Sequence, residues 1–282
     1  MSFVDYHIHT RLSGDAQESN VEAVCKKAIE IGLDEISFAE HVDFDPSDLC
    51  YRVYDYAKAR NEIEEARERF GDKLIIRHGV EVDYQTRFHN QVEDFIANHE
   101  FDYVIGSAHY INGIILVDDA CFKDKSEAEV YMPYFDLAES LVETGLFDAL
   151  AHLEFCKRVG VRFFGPFNFE RYEERITGVL QAVINNNIAL ELNTSGLRQD
   201  PGEPFPSFSS LRCFKELGGR KIVIGSDAHR IQHVGSGIEE GYRLAREAGF
   251  AEMATFEKRN CRLIPIPSTS LQRAEPCPSR SE

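Results

Sequence analysis

About seven short strand-like runs, each followed by a helix-like run, constrain the fold of this 282-residue chain more than any other feature. The strand-like runs fall at 4–8, 36–39, 74–82, 103–107, 148–151, 188–192 and 221–225. The helix-like runs fall at 21–31, 54–70, 87–98, 126–144, 169–185, 209–217 and 237–249. The first helix opens on Ser19-Asn20-Val21-Glu22, which has the spacing of a capping box, and closes before Gly32. Strand–helix alternation implies a parallel sheet. Without a dinucleotide glycine fingerprint, this many units favour closure into a distorted seven-stranded (β/α)7 TIM-like barrel over an open sheet. One domain is expected over 1–266, with the Pro- and Ser-rich stretch 267–282 as a disordered tail.

His7 and His9 lie one residue apart in the first strand, so both side chains face the same way, opposite to Ile8. Six of the ten histidines (His7, His9, His41, His109, His152, His229) sit at or just beyond a strand's C-terminal end. Glu81 and Asp227 do so too, and Asp15 lies on the first loop. A lone strand-end histidine is more often a hydrogen-bonded loop residue than a ligand. In a βα barrel, however, these ends converge on one mouth. Nine such groups on one rim would repel one another or lie unpaired unless divalent cations joined them. The other four histidines, His78, His89, His99 and His233, are expected to be structural or solvated.

The net charge of −17 disfavours a sequence-independent grip on nucleic acid. It leaves room for small anionic substrates, because bound cations and a few arginines reverse the local sign. Seven scattered cysteines without a C-x-x-C pair suit reduced thiols in the cytoplasm. No apolar run approaches the ~20 residues that span a bilayer, and the N-terminus does not look like a signal peptide.

HIHT at 7–10, Asp15, AEH at 39–41, GVEVDY at 79–84, GSAH at 106–109, AH at 151–152 and GSDAH at 225–229 occur in order along the chain. Together they resemble the PHP (polymerase and histidinol phosphatase) superfamily of metal-dependent phosphoesterases. The resemblance implies two or three divalent metals (zinc, manganese or iron). His7, His9, Glu81 and Asp227 would hold the first; Glu81, bridging, with His109 and His152 the second; Asp15, His41 and His229 the third. Many relatives carry His where this chain has Asp15, which bears on metal preference, since carboxylate oxygen remains a competent donor.

LNTSGLRQDPGEPFPS at 192–207, HLEFCKRVG at 152–160 and the C-terminal FEKRNCRLIPI resemble the histidinol-phosphate phosphatase branch, with Glu154 replacing a more usual Asp. The substrate implied is a small phosphomonoester, foremost L-histidinol phosphate. Arg158 and Arg198 are the expected phosphate clamps, with Lys157 as substitute if helix phase turns Arg158 away. Phe44, Tyr110 and Phe205 are candidates to border an imidazole, with most of them expected to be packing residues. The implied chemistry is in-line attack by a metal-bridging hydroxide held at Glu81, with Asp15 or His229 as possible proton donor.

Rival readings are a PHP phosphoesterase of other specificity or a nucleotide or oligonucleotide phosphodiesterase, an amidohydrolase-type barrel, and a noncatalytic metal-binding protein. The acidic composition argues against the nucleic-acid form, and the absence of a lysine at the fourth strand's mouth against the amidohydrolase. Nine competent ligand positions argue against a degenerate site. Ser195 as nucleophile lacks a G-x-S-x-G elbow. A homo-oligomer is possible.

Overall fold

A computed structural model describes residues 2–268. In chain order the elements are β1 (Val4–Ile8), α1 (Val21–Ile31), β2 (Glu35–Val42), α2 (Tyr56–Phe70), β3 (Ile75–Asp83), α3 (His89–Asn98) and β4 (Tyr103–Ser107). A short hairpin, β5 (Tyr110–Ile111) and β6 (Ile114–Ile115), precedes α4 (Glu127–Glu143) and β7 (Ala149–Leu150). Then come α5 (Lys157–Phe164), α6 (Phe169–Asn185), β8 (Ala189–Asn193), α7 (Phe208–Glu216), β9 (Ile222–Gly225) and α8 (Ile238–Glu247). The hairpin β10 (Glu252–Glu257) and β11 (Asn260–Pro265) ends the described chain.

Seven parallel strands pair in the order β1-β2-β3-β4-β7-β8-β9. The ring closes through the residue chain just past β9. Ala228 bridges to Ile8, with His9 N donating to Ala228 O at 2.9 Å and Ala228 N to His7 O at 3.2 Å. The expected seven-stranded barrel is therefore present, distorted because β7 is only two residues long. The part of the expected tail beyond Ser268 lies outside the described residues.

The helices pack outside the ring by burying apolar stripes. In α1 these are Val21, Val24, Cys25 and Ala28, one helical face. They meet Ile8, Ile36 and Phe38 in a small core under α1 and α2, while a larger core fills the rest of the barrel. Each such aliphatic side chain taken out of water contributes roughly 1.5–3 kcal/mol. The start of α1 differs from expectation: Asn20, not Ser19, is its N-cap, accepting from Ala23 N at 2.9 Å. Ser19 Oγ instead donates to His229 O at 3.1 Å, tying the first loop to the last strand's end.

Candidate functional site

The site is built around one carboxylate. In β3, Glu81 and Asp83 alternate with Val80 and Val82, so both acids face the mouth. Glu81 is 1% exposed. Its Oε2 lies 3.1 Å from His41 Nδ1, 3.2 Å from His7 Nε2 and 3.5 Å from His9 Nε2. Its Oε1 lies 2.8 Å from His152 Nε2 and 3.5 Å from His109 Nε2. Asp227 Oδ1 stands 3.5 Å from His9 Nε2 and 3.3 Å from His229 Nδ1. Asp15 Oδ2 is 2.9 Å from His229 Nε2 and 3.5 Å from His41 Nε2. All nine residues singled out in the sequence thus meet at one end of the barrel.

Beyond the bridging Glu81 expected between the first two sets, His9 and His41 are shared as well. Donor atoms fall within 4.8 Å of one another in His7–His9–Glu81, in His9–His41–His229 and in His41–Glu81–His109. His9 and His41 therefore each belong to two neighbourhoods, with imidazole centroids 4.3 Å apart.

A surrounding layer orients these groups, and most of it was not singled out in the sequence. Glu191 Oε1 takes His7 Nδ1 at 2.6 Å, and its Oε2 accepts from the His152 backbone at 2.8 Å. Ser13 Oγ meets His9 Nδ1 at 3.1 Å, accepts from His41 N, and donates to buried Glu40. Asp83 accepts from His109 N at 2.9 Å. The signal for Glu191 was its i, i+2 relation to Asn193 inside an apolar strand, the pattern also shown by Glu81 and Asp83. Gly225 is required here, because a Cβ would lie 2.4 Å from His7 Cβ and 2.7 Å from Glu191 Oε1. His152 and Asp227 adopt positive φ, 21° and 53°, where a strand turns sharply to present its side chain; such conformations typically cost about 1–3 kcal/mol.

The electrostatics call for positive charge at the centre. Burial opposes ionisation of Glu81, yet His7, His41 and His109 hold its carboxyl well below the usual range. Burial would lower His7 and His41, but neighbouring carboxylates, Glu191 and Glu81 for His7 and Glu81 and Asp15 for His41, push both well above it. His9, buried and facing His229 and His41, is depressed to about 3 and stays neutral. Its Nδ1 is held by Ser13, and its Nε2, wholly buried, has no hydrogen-bond partner. A neutral imidazole lone pair aimed between two carboxylates, with its other nitrogen fixed, fits a metal ligand. The nitrogen, carboxylate and sulfur-free donor set suits zinc, manganese or iron.

The cluster floors a cavity of about 680 Å³. Arg158 and Arg198 both line it, as expected. Arg198 Nη2 donates to Ser226 O and Asp227 O at 2.7 Å each, leaving Nη1 buried and unpartnered. Lys157 is no substitute: it is wholly buried, bound to Glu154 at 2.6 Å and Glu203 at 2.9 Å. Among the three aromatics, Tyr110 lines the cavity, but Phe205 is buried beneath it against Phe155 and Phe44 packs on the core. His78, His89 and His99 are structural, meeting Tyr54, Tyr84 and the Phe95 carbonyl. His233, half-buried in the segment after β9, lines the cavity beside Arg230.

A family model described as the PHP domain matches residues 5–195. A histidinol-phosphatase of Lactococcus lactis subsp. lactis is 31% identical over 263 residues, covering 91% of this chain and 95% of that protein. Another, of Bacillus subtilis, is 25% identical over 261 residues, covering 83% and 96%. A crystal structure of a histidinol phosphate phosphatase from Lactococcus lactis, complexed with zinc, L-histidinol and phosphate, matches with a TM-score of 0.85 at 28% identity. That match covers 93% of this chain and 99% of that one.

Proposed function

This chain belongs to the PHP domain family, and we propose that it is a metal-dependent histidinol-phosphatase, releasing phosphate and L-histidinol from L-histidinol phosphate. The observation that carries the reading is Glu81, one buried carboxylate whose two oxygens meet five imidazoles, below a cavity whose wall holds Arg198 with a free buried N–H. The zinc, L-histidinol and phosphate of the Lactococcus structure support the same substrate and cofactor here.

His7, His9, Glu81 and Asp227 would hold one metal; Glu81, His109 and His152 a second; and Asp15, His41 and His229 a third. Bound divalent ions supply Lewis acidity and bring the pKa of water near neutrality. The rest falls to the chain's own groups. Arg198, fixed by the two carbonyls that accept from Nη2, offers Nη1 to a phosphate oxygen, and Arg158 approaches from the first turn of α5. Their charge is worth most as it builds on the equatorial oxygens. With only two metals held, Asp15 and His229 would be left to each other; Asp15 and Asp227 hold His229 up, at about 9, against the lowering effect of burial, so its ring would be the proton donor available for the leaving alkoxide.

Among the described residues no helix is long and apolar enough to cross a membrane. The described cysteines are all unpaired, which supports a cytoplasmic setting, and we propose a single domain over 1–266.

The test is phosphate release from L-histidinol phosphate against generic monoesters and dinucleotides, with elemental analysis of the same sample. Asp227→Asn and His9→Ala should lose metal and at least ~100-fold of turnover together, as the loss of a ligand implies. Full turnover by Asp227→Asn would refute the mechanism. Cleavage of dinucleotides in preference to the monoester would favour a phosphodiesterase.

A further inference from the structure

Behind the mouth lies another buried carboxylate, which touches no substrate and no metal position. In β2, Glu40 alternates with His41, so it faces the helices while His41 faces the mouth. Its neighbours on that face, Ile36 and Phe38, pack in the apolar layer under α1 and α2. Glu40 is wholly buried there. A carboxylate in such surroundings is costly unless hydrogen bonds satisfy it. Among the described residues, the bonds it accepts come from the loop after β1. Thr10 Oγ1 gives to Oε1 at 2.7 Å, and Thr10 N and Ser13 Oγ give to Oε2 at 2.9 and 2.6 Å. The bonds from Thr10 suffice to pin the loop, whereas the one from Ser13 leads on to the metal cluster.

Ser13 is also wholly buried, and its hydroxyl has one proton and two lone pairs for three partners. His41 N, 2.9 Å away, can only donate. Glu40 Oε2 already faces the Thr10 N–H as an acceptor, and at 2.6 Å it takes the hydroxyl proton. One lone pair is left for His9 Nδ1 at 3.1 Å, which must therefore carry its own proton. A proton on Nδ1 leaves Nε2 bare. That nitrogen is buried and unpartnered, 3.5 Å from both Glu81 and Asp227. The opposite tautomer would aim a proton where the cation belongs. The same hydroxyl holds His9 by its ring and His41 by its backbone, the two imidazoles that the ligand neighbourhoods share.

We infer that Glu40 and Ser13 are positioning residues for the metal cluster: Glu40 takes the Ser13 proton, Ser13 takes the Nδ1 proton of His9, and His9 Nε2 is thereby fixed as a metal donor. The inference rests on the metal-dependent reading above and adds to it what sets this ligand's tautomer. Two substitutions at Glu40 then differ sharply. In Glu40→Gln the Thr10 N–H requires the amide oxygen at the Oε2 position, so the side chain still accepts from Ser13 and the order of donors is kept. Glu40→Leu suits the apolar layer but frees the Ser13 proton to turn to His9 Nδ1, which reverses that order.

The experiment uses the full chain loaded with zinc. Imidazole 15N spectra of wild type should place the His9 proton on Nδ1, and a proton on Nε2 overturns the inference before any variant is made. Zinc affinity, from competition with a chelator, should fall about 10–100-fold in Ser13→Ala and in Glu40→Leu, and stay within about threefold of wild type in Glu40→Gln. Equal losses in Glu40→Gln and Glu40→Leu would make Glu40 a loop anchor only and overturn the inference, as would undiminished affinity in Ser13→Ala. Wild type that binds zinc with this tautomer yet releases no phosphate from L-histidinol phosphate overturns the substrate reading alone. A chain that binds neither zinc, manganese nor iron overturns both.

Discussion

His78 illustrates how one residue, away from the reacting groups, sets a condition on stability. Its strand position turns it to the outer face, where Tyr54 Oη meets Nε2 at 2.9 Å and the rings of Tyr56 and Phe101 pack against it. Burial, helped by Arg67, depresses it to about 4 against an ordinary 6.5. Above pH 6.5 both folded and unfolded chains carry it neutral, and its contribution to stability is fully present. As pH falls from 6.5 toward 4 the unfolded chain takes up a proton that the folded chain refuses, and stability is lost. The span corresponds to about 3 kcal/mol at most. His78→Gln keeps a hydrogen bond to Tyr54 without titrating. Its stability relative to wild type should therefore rise as pH is lowered through this window, measured by urea denaturation at pH 7, 6, 5 and 4.5. A constant difference would show that His78 does not titrate in this way. At this same scale the nine ligand-type residues were legible, because eight stand at or just beyond a strand's end, Asp15 follows on the first loop, and two pairs repeat at i, i+2. Glu191 was not singled out, although its i, i+2 relation to Asn193 repeats that of Glu81 and Asp83; an acid inside an apolar strand does not by itself show which ligand it supports.

Secondary elements were legible where their periodicity was long and where capping agreed with it. The α6 helix is found over the span its sequence suggests, Phe169–Asn185. The α5 helix was not anticipated: KRVGVRFF mixes β-branched and aromatic residues with a glycine and favours a strand by propensity, so tertiary contacts decide it. The β5–β6 hairpin carried a usable signal, since Asn112 and Gly113 both adopt the positive φ of a type I′ turn between apolar residues. The turn of β10–β11 places Lys258 and Arg259 at positive φ with no such signature. What fixes α5 is Glu154, wholly buried, which accepts from Lys157 Nζ, from Ser207 N at 2.7 Å and from the hydroxyls of Ser207 and Ser210. It ties the start of α5 to the start of α7, so the family-like segment at 152–160 serves as a strut that positions Arg158. Glu154→Ala would leave Lys157 buried with Glu203 as its one carboxylate. We expect a loss of about 3–5 kcal/mol in denaturant unfolding, with a raised KM for the phosphate ester. A loss below ~1 kcal/mol would mean that the strut is dispensable.

At the scale of the whole molecule, the candidate metal ligands come from both sides of the seam where the ring closes. His7 and His9 belong to the first strand's end, Asp227 and His229 follow the last, and the backbone joining them is the short bridge between Ile8 and Ala228. Glu81, from β3 within the sheet, completes the set. A cation at this point therefore cross-links the first, third and seventh strands of the ring, while without it the buried Glu81 and Asp227 depend on protonated imidazoles for neutrality. Metal affinity and folding are then coupled, and loading at neutral pH should expel protons from His7 and His41. Chelation followed by zinc addition provides the test. Removing metal should lower the Tm by several degrees, on the order of a few kcal/mol by mass action. Hydrogen exchange should quicken first at the amides of His9 and Ala228, which carry the seam, and later in β3 and β4. Because the seam has so few backbone bonds, its opening needs little beyond loss of the cross-link. An even loss of protection around the ring would instead locate the metal's contribution in the barrel as a whole, and the seam would have no special dependence on it.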